Sequence, residues 1–300
     1  MRLALDIGGT DIKCATVTED GQIAASGSFP SNPKLESEEF LSMVVNGARD
    51  FLSEHPGAVT IVGAGMAGFI DASKGIVRES PNLPKVKNLE LGKALTDGLE
   101  LLAYVENDAT AAAWGEYMFG GHVDVKDMMA VTLGTGIGGG LVLNGKLYRG
   151  AKGMAGEIGQ MVLIPAGPEC PGGGKGCLEY YIGKRGVMED YRRRAKLDKS
   201  IEPKEIYERA GTGDSSAKES WKAYGQRLGV VLASSANLLD LGLIVLTGGI
   251  MGAWDFFSDS MMKTFRDHLI TPHKAHLKVK KSNLEGKAGL LGAAFLDKAE

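Results

Sequence analysis

The chain has 300 residues, 44% hydrophobic and 24% charged, an ordinary soluble composition long enough for two domains. A formal charge of −3 and the absence of any apolar run near the ~18 residues of a membrane span argue against nucleic-acid and membrane partners. Three cysteines (Cys14, Cys170, Cys177) and an N-terminus unlike a secretory leader fit a reducing cytoplasm.

Arg2 to Ile7 reads as a strand, Gly8-Gly9-Thr10 as a tight turn, and Ile12 to Val17 as a second strand. The Asp20-Gly21 turn leads to a third strand, Ile23 to Ser28. Ser37 is a plausible N-cap for a helix over 38–55, where Phe40, Val44, Ala48 and Phe51 share helical spacing. Val59 to Ala64 reads as a strand, followed by Gly65-Met66-Ala67-Gly68, and 81–84 as an irregular loop. Leu101 to Val105 is an apolar strand and Ala109 to Met118 a helix, so Asn107-Asp108 sits at a strand-to-helix junction at the lip of a cleft. A carboxylate there either caps the helix or accepts a proton from a bound hydroxyl.

Met128 to Thr132 is a strand that runs into a glycine-rich turn over 134–140, then a hairpin through Asn144-Gly145. This order repeats the start of the chain: strand, glycine turn, strand, turn, strand. Two such hairpins from two lobes can face each other across a cleft. The remainder is mainly helical: 178–197, 203–210, 215–239, 254–269 and 289–299, with strands at 243–246 and 277–279.

Asp6, Gly8, Gly9, Thr10 and Lys13 combine an acid at a strand end with glycines and a hydroxyl. Glycine lets backbone N–H groups reach phosphate oxygens without a Cβ in the way, and Asp6 can hold Mg²⁺ through water. Gly134-Thr135-Gly136-Ile137-Gly138-Gly139 formally contains G-x-G-x-x-G, but a strand follows it, so it reads as a phosphate-cradling hairpin turn and not as a dinucleotide motif. Glu157, Gln160 and Glu179 offer groups suited to sugar hydroxyls, or are solvated side chains and caps. Cys170 and Cys177 lack the four ligands of a structural zinc and read as a loop with free thiols. The five histidines are scattered and form no catalytic pattern.

Taken in order, these strings resemble the ROK family (repressors, open reading frames and sugar kinases) over nearly the whole chain. The strings are Asp6-Ile-Gly-Gly-Thr10, Gly65-Met-Ala-Gly68, Pro81-Asn82-Leu83, Glu106-Asn107-Asp108, Leu133 to Gly140, Gly156-Glu157-Ile-Gly159, Gly176-Cys177-Leu-Glu179 and Thr247-Gly248-Gly249. The resemblance implies a two-domain α/β fold of the actin-like, hexokinase (ribonuclease H-like) type with a central cleft. It implies domains of 1–110 plus 287–300 and of 111–286. It implies an ATP-dependent sugar kinase, with Asp108 as the base toward a hexose hydroxyl, O6 of glucose first. N-acetylmannosamine, fructose, allose and β-glucosides are the alternative substrates. Gly68, Asn82, Asn107, Glu157, Gln160 and Glu179 would contact the sugar. Gly8, Gly9, Thr10, Lys13, Gly134, Thr135, Gly136, Gly248 and Gly249 would hold ATP, with Asp6 near Mg²⁺. A homodimer is implied too. The family's other class, a sugar-responsive regulator, is disfavoured because the first motif starts at Asp6 and leaves no room ahead of it for a DNA-binding module.

Three positions depart from the family pattern. Ala67 stands for the usual Pro and Gln160 for the usual His. The loop Cys170-Pro-Gly-Gly-Gly-Lys-Gly-Cys177 lacks the middle cysteine, so no structural zinc is expected.

Overall fold

The structure, a computed structural model, describes residues 1–81, 83–85, 87–170 and 172–299. In chain order the first elements are β1 (Arg2–Ile7), β2 (Asp11–Val17), β3 (Ile23–Pro30), α1 (Ser37–Glu54) and β4 (Ile61–Met66). Then come β5 (Phe69–Asp71), β6 (Ile76–Glu79), β7 (Lys87–Leu89), α2 (Leu91–Leu99), β8 (Leu102–Asn107) and α3 (Asp108–Phe119). The second half holds β9 (Met128–Leu133), β10 (Ile137–Leu143), β11 (Lys146–Tyr148), α4 (Leu178–Ile182), α5 (Lys184–Arg194) and α6 (Pro203–Gly211). It ends with α7 (Ser215–Leu239), β12 (Leu243–Thr247), α8 (Trp254–His268), β13 (Lys278–Lys281) and α9 (Ala288–Ala294). Among the described residues no helix is long and apolar enough to cross a membrane.

The chain forms two compact units. One comprises 1–126, 140–156 and 282–300, the other 127–139 and 157–281. The sequence expectation put the first break after residue 110. Helix α3 instead counts with the first unit because it packs along α9, the element that returns from the C-terminus.

The first unit is built on a sheet of order β3-β2-β1-β4-β8. β1, β2 and β3 form an antiparallel meander, whereas β1, β4 and β8 run parallel. The parallel register aligns Asp6 with Gly65 and Gly65 with Glu106, so the carboxyl ends of all three strands finish together. That edge is where ligands bind in parallel sheets. Leu3, Leu5, Val62, Ala64, Phe40, Val44 and Ala48 fill the core between sheet and helices.

Glycine decides how closely α9 approaches. A Cβ on Gly292 would lie 1.7 Å from the carbonyl oxygen of Ala111 in α3, and one on Gly115 would lie 2.0 Å from that of Ala288. A Cβ on Gly63 of β4 would lie 1.8 Å from the carbonyl oxygen of Ala293. Backbone thus meets backbone at three places. Arg2, almost fully buried at the start of β1, adds polar ties to the same segment. Its guanidinium donates to the Ala294 carbonyl, pairs with Asp297 and Glu19, and stacks on Phe295.

In the second unit β12 pairs in parallel with β9 on one side and β13 on the other, with Thr247 opposite Thr132. Helices α7 and α8 pack by the same device: a Cβ on Gly225 would lie 2.2 Å from the carbonyl oxygen of Phe257.

Several elements differ from the sequence reading. The helix over 178–197 is two helices, broken at Gly183, which is at once the C-cap of α4 and the N-cap of α5 with extended ψ 169°. The N-cap of α1 is Glu36 and not Ser37, with its backbone N–H donating to Glu39. The small sheet β5-β6-β7 carries no clear period in the sequence, and α2, whose Leu91 and Leu95 share one buried face, is absent from that reading. The strands of this sheet are only three or four residues long, and Gly75 turns between them at φ 63°. The terminal helix is shorter than expected and passes into a 3₁₀ turn, Leu296–Lys298.

Gly292→Ala is expected to cost at least about 3 kcal/mol, because the atoms it strikes are backbone and cannot repack. Gly211→Ala, which enters open space at ordinary φ, should be neutral or slightly stabilising. Urea unfolding of the two variants checks this; equal midpoints would refute the close-approach argument.

Candidate active site

The carboxyl edge of the first sheet collects Asp6, the Gly8 turn, Gly68, Asn107 and Asp108. Asn107 ends β8 and caps α3: its side-chain oxygen accepts the N–H groups of Ala109 (3.0 Å) and Thr110 (3.1 Å). One of its two amide hydrogens donates to the carbonyl of Gly68, 3.1 Å away. Asn107 is therefore a joint between the α3 start and the Gly68 loop. Gly68 itself has φ 141°, and a Cβ there would lie 2.2 Å from the carbonyl oxygen of Glu79.

Because Asn107 does the capping, Asp108 is the first residue of the helix and its carboxylate is not needed as the cap. Its Oδ1 accepts the Ala109 N–H at 2.9 Å. Desolvation pushes the Asp108 carboxyl above the usual range; the Ala109 N–H works against this and the nearby charge of Asp6 adds to it. Asp6 is raised as well, first by desolvation, with Lys13 opposing. Lys13 stands opposite Asp6 in the β1–β2 register. The Gly8 N–H bonds the Asp11 carbonyl (3.0 Å), and the Thr10 carbonyl accepts from Ser31 (2.8 Å). Asp6 is a hard oxygen donor of the kind Mg²⁺ takes.

The second unit places Gly134, Thr135 and Gly136 after β9, and Gly248 and Gly249 after the neighbouring β12. Gly248 has φ 105°, and a Cβ there would lie 2.3 Å from the Leu133 carbonyl oxygen, so the two turns touch through backbone. Gly134 and Gly249 differ: their φ values are ordinary and a Cβ would meet nothing within 4 Å. Neither strain nor protein packing calls for glycine at these two positions, and the backbone there is open to approach.

Glu179, in the first turn of α4, accepts the Ile137 N–H at 2.7 Å and sits where a Cβ on Gly136 would fall, at 2.5 Å. The Lys184 N–H holds the Thr135 carbonyl at 3.0 Å. A cavity of about 340 Å³ beside them is lined by Thr135, Glu169, Cys170, Glu179, Tyr180, Gly183 and Arg185. Glu157 is exposed and leads into the turn Ile158–Gln160, where its carbonyl accepts the Gln160 N–H at 3.0 Å. The Gln160 amide lies against Gly172 of the cysteine loop. Asn82 lies outside the described residues. A cavity of about 850 Å³ elsewhere in the first unit, lined by Phe69, Arg78, Lys87 and Lys152 among others, contains none of the expected site residues.

The free thiols expected at Cys170 and Cys177 are not seen: the two form a disulfide. A hairpin brings their Cα atoms to 6.1 Å, within bridging range, through the Glu169–Lys175 bridge and the Cys170 N–H to Gly174 carbonyl bond. A bridged sulfur is not the thiolate that a metal needs. Cys14 is free and buried, and burial pushes its thiol up to about 11.

A family model described as the ROK family matches residues 2–300. The chain belongs to the ROK family. A glucokinase of Streptomyces coelicolor is 32% identical over 313 residues, covering 99% of this chain and 97% of that protein. An N-acetylmannosamine kinase of Escherichia fergusonii is 31% identical over 305 residues, covering 99% and 98%. The crystal structure of a ROK family glucokinase from Streptomyces griseus in complex with glucose and AMPPNP is 34% identical, with a TM-score of 0.85 over 98% of each chain. The fold is the actin-like, hexokinase-type α/β fold of these ROK proteins.

Sequence reasoning missed two supports of the ROK motif Glu106-Asn107-Asp108. Glu106 is buried, accepts the Asn107 N–H at 3.0 Å, and pairs with Arg149 at 2.6 Å. Arg149 also donates to the Ala299 carbonyl at 3.3 Å. An acid in an otherwise apolar strand is a signal that a charge partner waits elsewhere. Tyr180 and Arg185, which line the cavity beside Thr135, flank the helix break at Gly183 that the sequence did not reveal.

Two outcomes follow. Glu106→Ala removes the acceptor of the Asn107 N–H and the partner of the part-exposed Arg149, and should cost about 1–3 kcal/mol, read by urea unfolding. For Asp108, a folded-state pKa above the unfolded one makes the ionised carboxylate a penalty that is absent at low pH and grows as pH rises through the folded pKa. Asp108→Asn should therefore raise Tm, more at pH 8 than near pH 4, and an equal shift at both would refute the desolvation.

Proposed function

We propose that this ROK-family sugar kinase transfers the γ-phosphoryl of ATP to a hexose hydroxyl, O6 of glucose, with Asp108 as the base. The observation that carries the reading is the Asp108 carboxylate: relieved of capping, part-buried, raised in pKa by desolvation, and near Asp6 at the carboxyl edge of three parallel strands. Its raised pKa brings a carboxylate closer to working pH and makes it a better proton acceptor. The sugar oxygen gives its proton to Asp108, the O6–P bond forms as the bond to the leaving ADP oxygen breaks, and the work is positioning and charge stabilisation.

In this reading Gly68, Asn82, Asn107, Glu157, Gln160 and Glu179 hold sugar hydroxyls. Gly8, Gly9, Thr10, Lys13, Gly134, Thr135 and Gly136 hold the phosphates, and Gly248 and Gly249 the adenosine. The open space beside Gly134 and Gly249 supports that part. Mg²⁺, when bound, neutralises charge on the phosphates, and Asp6 is the residue that would hold it through water. Support for glucose comes from the glucose-bound Streptomyces griseus relative; the N-acetylmannosamine kinase relative makes that sugar the second candidate. A cytoplasmic homodimer completes the reading, on family likeness alone.

The test is ADP release with ATP and Mg²⁺ over glucose, mannose, fructose, allose, N-acetylmannosamine, N-acetylglucosamine and cellobiose. Turnover is expected on glucose above the others. Asp108→Asn should lower kcat at least about 100-fold while sugar binding, read by calorimetry, stays near wild type. Near-normal turnover in the variant removes Asp108 from the role of base. Silence on every sugar with thermal stabilisation by one of them points to a sugar-binding regulator.

A further inference from the structure

Outside the residues discussed so far, three metal-capable side chains of the second unit converge. They are Asp240, His273 and His276, and one ligand atom from each lies within 4.8 Å of the others. Asp240 is the C-cap of α7, in the left-handed conformation (φ 49°), and its N–H bonds the Ala236 carbonyl. His273 lies on the 3₁₀ turn Thr271–Ala275, and His276 follows that turn directly. Asp240 Oδ1 stands 2.9 Å from His273 Nδ1 and 3.3 Å from His276 Nε2.

One carboxylate oxygen faces two imidazole nitrogens at once. The His273 ring is 93% shielded from solvent (7% exposed), and its Nδ1 lies beside that oxygen without hydrogen-bond alignment. A cation among the three groups would satisfy both nitrogens and the carboxylate together. Donor atoms on a four-coordinate zinc, at bonds of about 2.0–2.2 Å, are roughly 3.3 Å apart. The two spacings to Asp240, 2.9 and 3.3 Å, lie close to that value, and all three ligand atoms fall within 4.8 Å of one another.

The surroundings are built for it. One turn before Asp240, the Asn237 side chain donates to the His268 carbonyl at 3.0 Å and accepts the Ile270 N–H at 3.1 Å. That clamp ties the histidine-bearing segment to the last turn of α7. On the other side Gly242 bonds the Asp127 carbonyl, and the Leu277 N–H bonds the His273 carbonyl. The C-terminal end of a 25-residue helix also carries partial negative charge that favours a cation.

We propose that Asp240, His273 and His276 form a site for one divalent transition-metal ion of the zinc class. Two imidazoles and one carboxylate suit Zn²⁺, Ni²⁺ or Cu²⁺ and not Ca²⁺ or Mg²⁺. Three protein ligands leave the fourth position to water. Bound there, the ion links the end of α7 to the segment that enters β13. The site shares no residue with the kinase reading above and does not depend on it.

The full chain, stripped with EDTA and dialysed, is titrated with Zn²⁺ against a chromophoric chelator, and Tm is followed with and without the metal. One Zn²⁺ per chain and a metal-dependent rise in Tm are expected. His276→Ala and Asp240→Gly, both at exposed positions and the glycine able to keep the left-handed C-cap conformation, should each weaken binding at least about tenfold and abolish the Tm rise. A Cys170→Ser/Cys177→Ser double variant should bind as wild type. No saturable binding, binding unchanged in the Asp240 and His276 variants, or binding lost only in the cysteine variant would each overturn the proposal.

Discussion

The first unit depends on one constraint: β1, β4 and β8 run parallel and in register, so that three distant stretches of chain end on one line. Asp6, Gly68 and Asp108 are about forty to a hundred residues apart in sequence and share an edge only through that pairing. The pairing is buttressed by α9, which reaches both β4 and α3 because Gly63, Gly115 and Gly292 let backbone approach backbone. Glycine here is a packing residue. At Gly134 and Gly249 it faces open space and packs against nothing.

Division of labour explains the motif Glu106-Asn107-Asp108. Glu106 is buried and spends its charge on Arg149. Asn107 spends its oxygen on the start of α3 and an amide hydrogen on Gly68. Asp108 gives one oxygen to the Ala109 N–H and, among the described residues, keeps the other free, with desolvation raising its pKa. Burying that carboxylate beside Asp6 is a cost in stability. The backbone around it is over-determined by the Asn107 cap and the parallel register, which holds it in place despite that cost.

Against the ROK pattern the second unit shows what replaces a lost motif. Without its middle cysteine the loop closes through a disulfide between the two that remain, and Gln160, at the position of the usual histidine, lies against Gly172 of that loop. The histidines that do gather are His273 and His276, at the far end of α7.

Much of this was legible in the sequence. Strand and helix periods, the Asp-Gly turn, the glycine clusters and their order were enough for the α/β class and the family, because each is a local property of consecutive residues. The junction at Asn107-Asp108 was legible for the same reason. Tertiary structure alone decided which member of that pair caps the helix, since the answer hangs on where the Gly68 carbonyl lies. It decided that 178–197 breaks at Gly183, where the chain turns to meet Thr135. It paired Glu106 with Arg149, Cys170 with Cys177, and Asp240 with two histidines that looked scattered. Each of these is a contact between side chains whose meeting is set by the packing of whole elements, and no period or spacing along the chain encodes that distance.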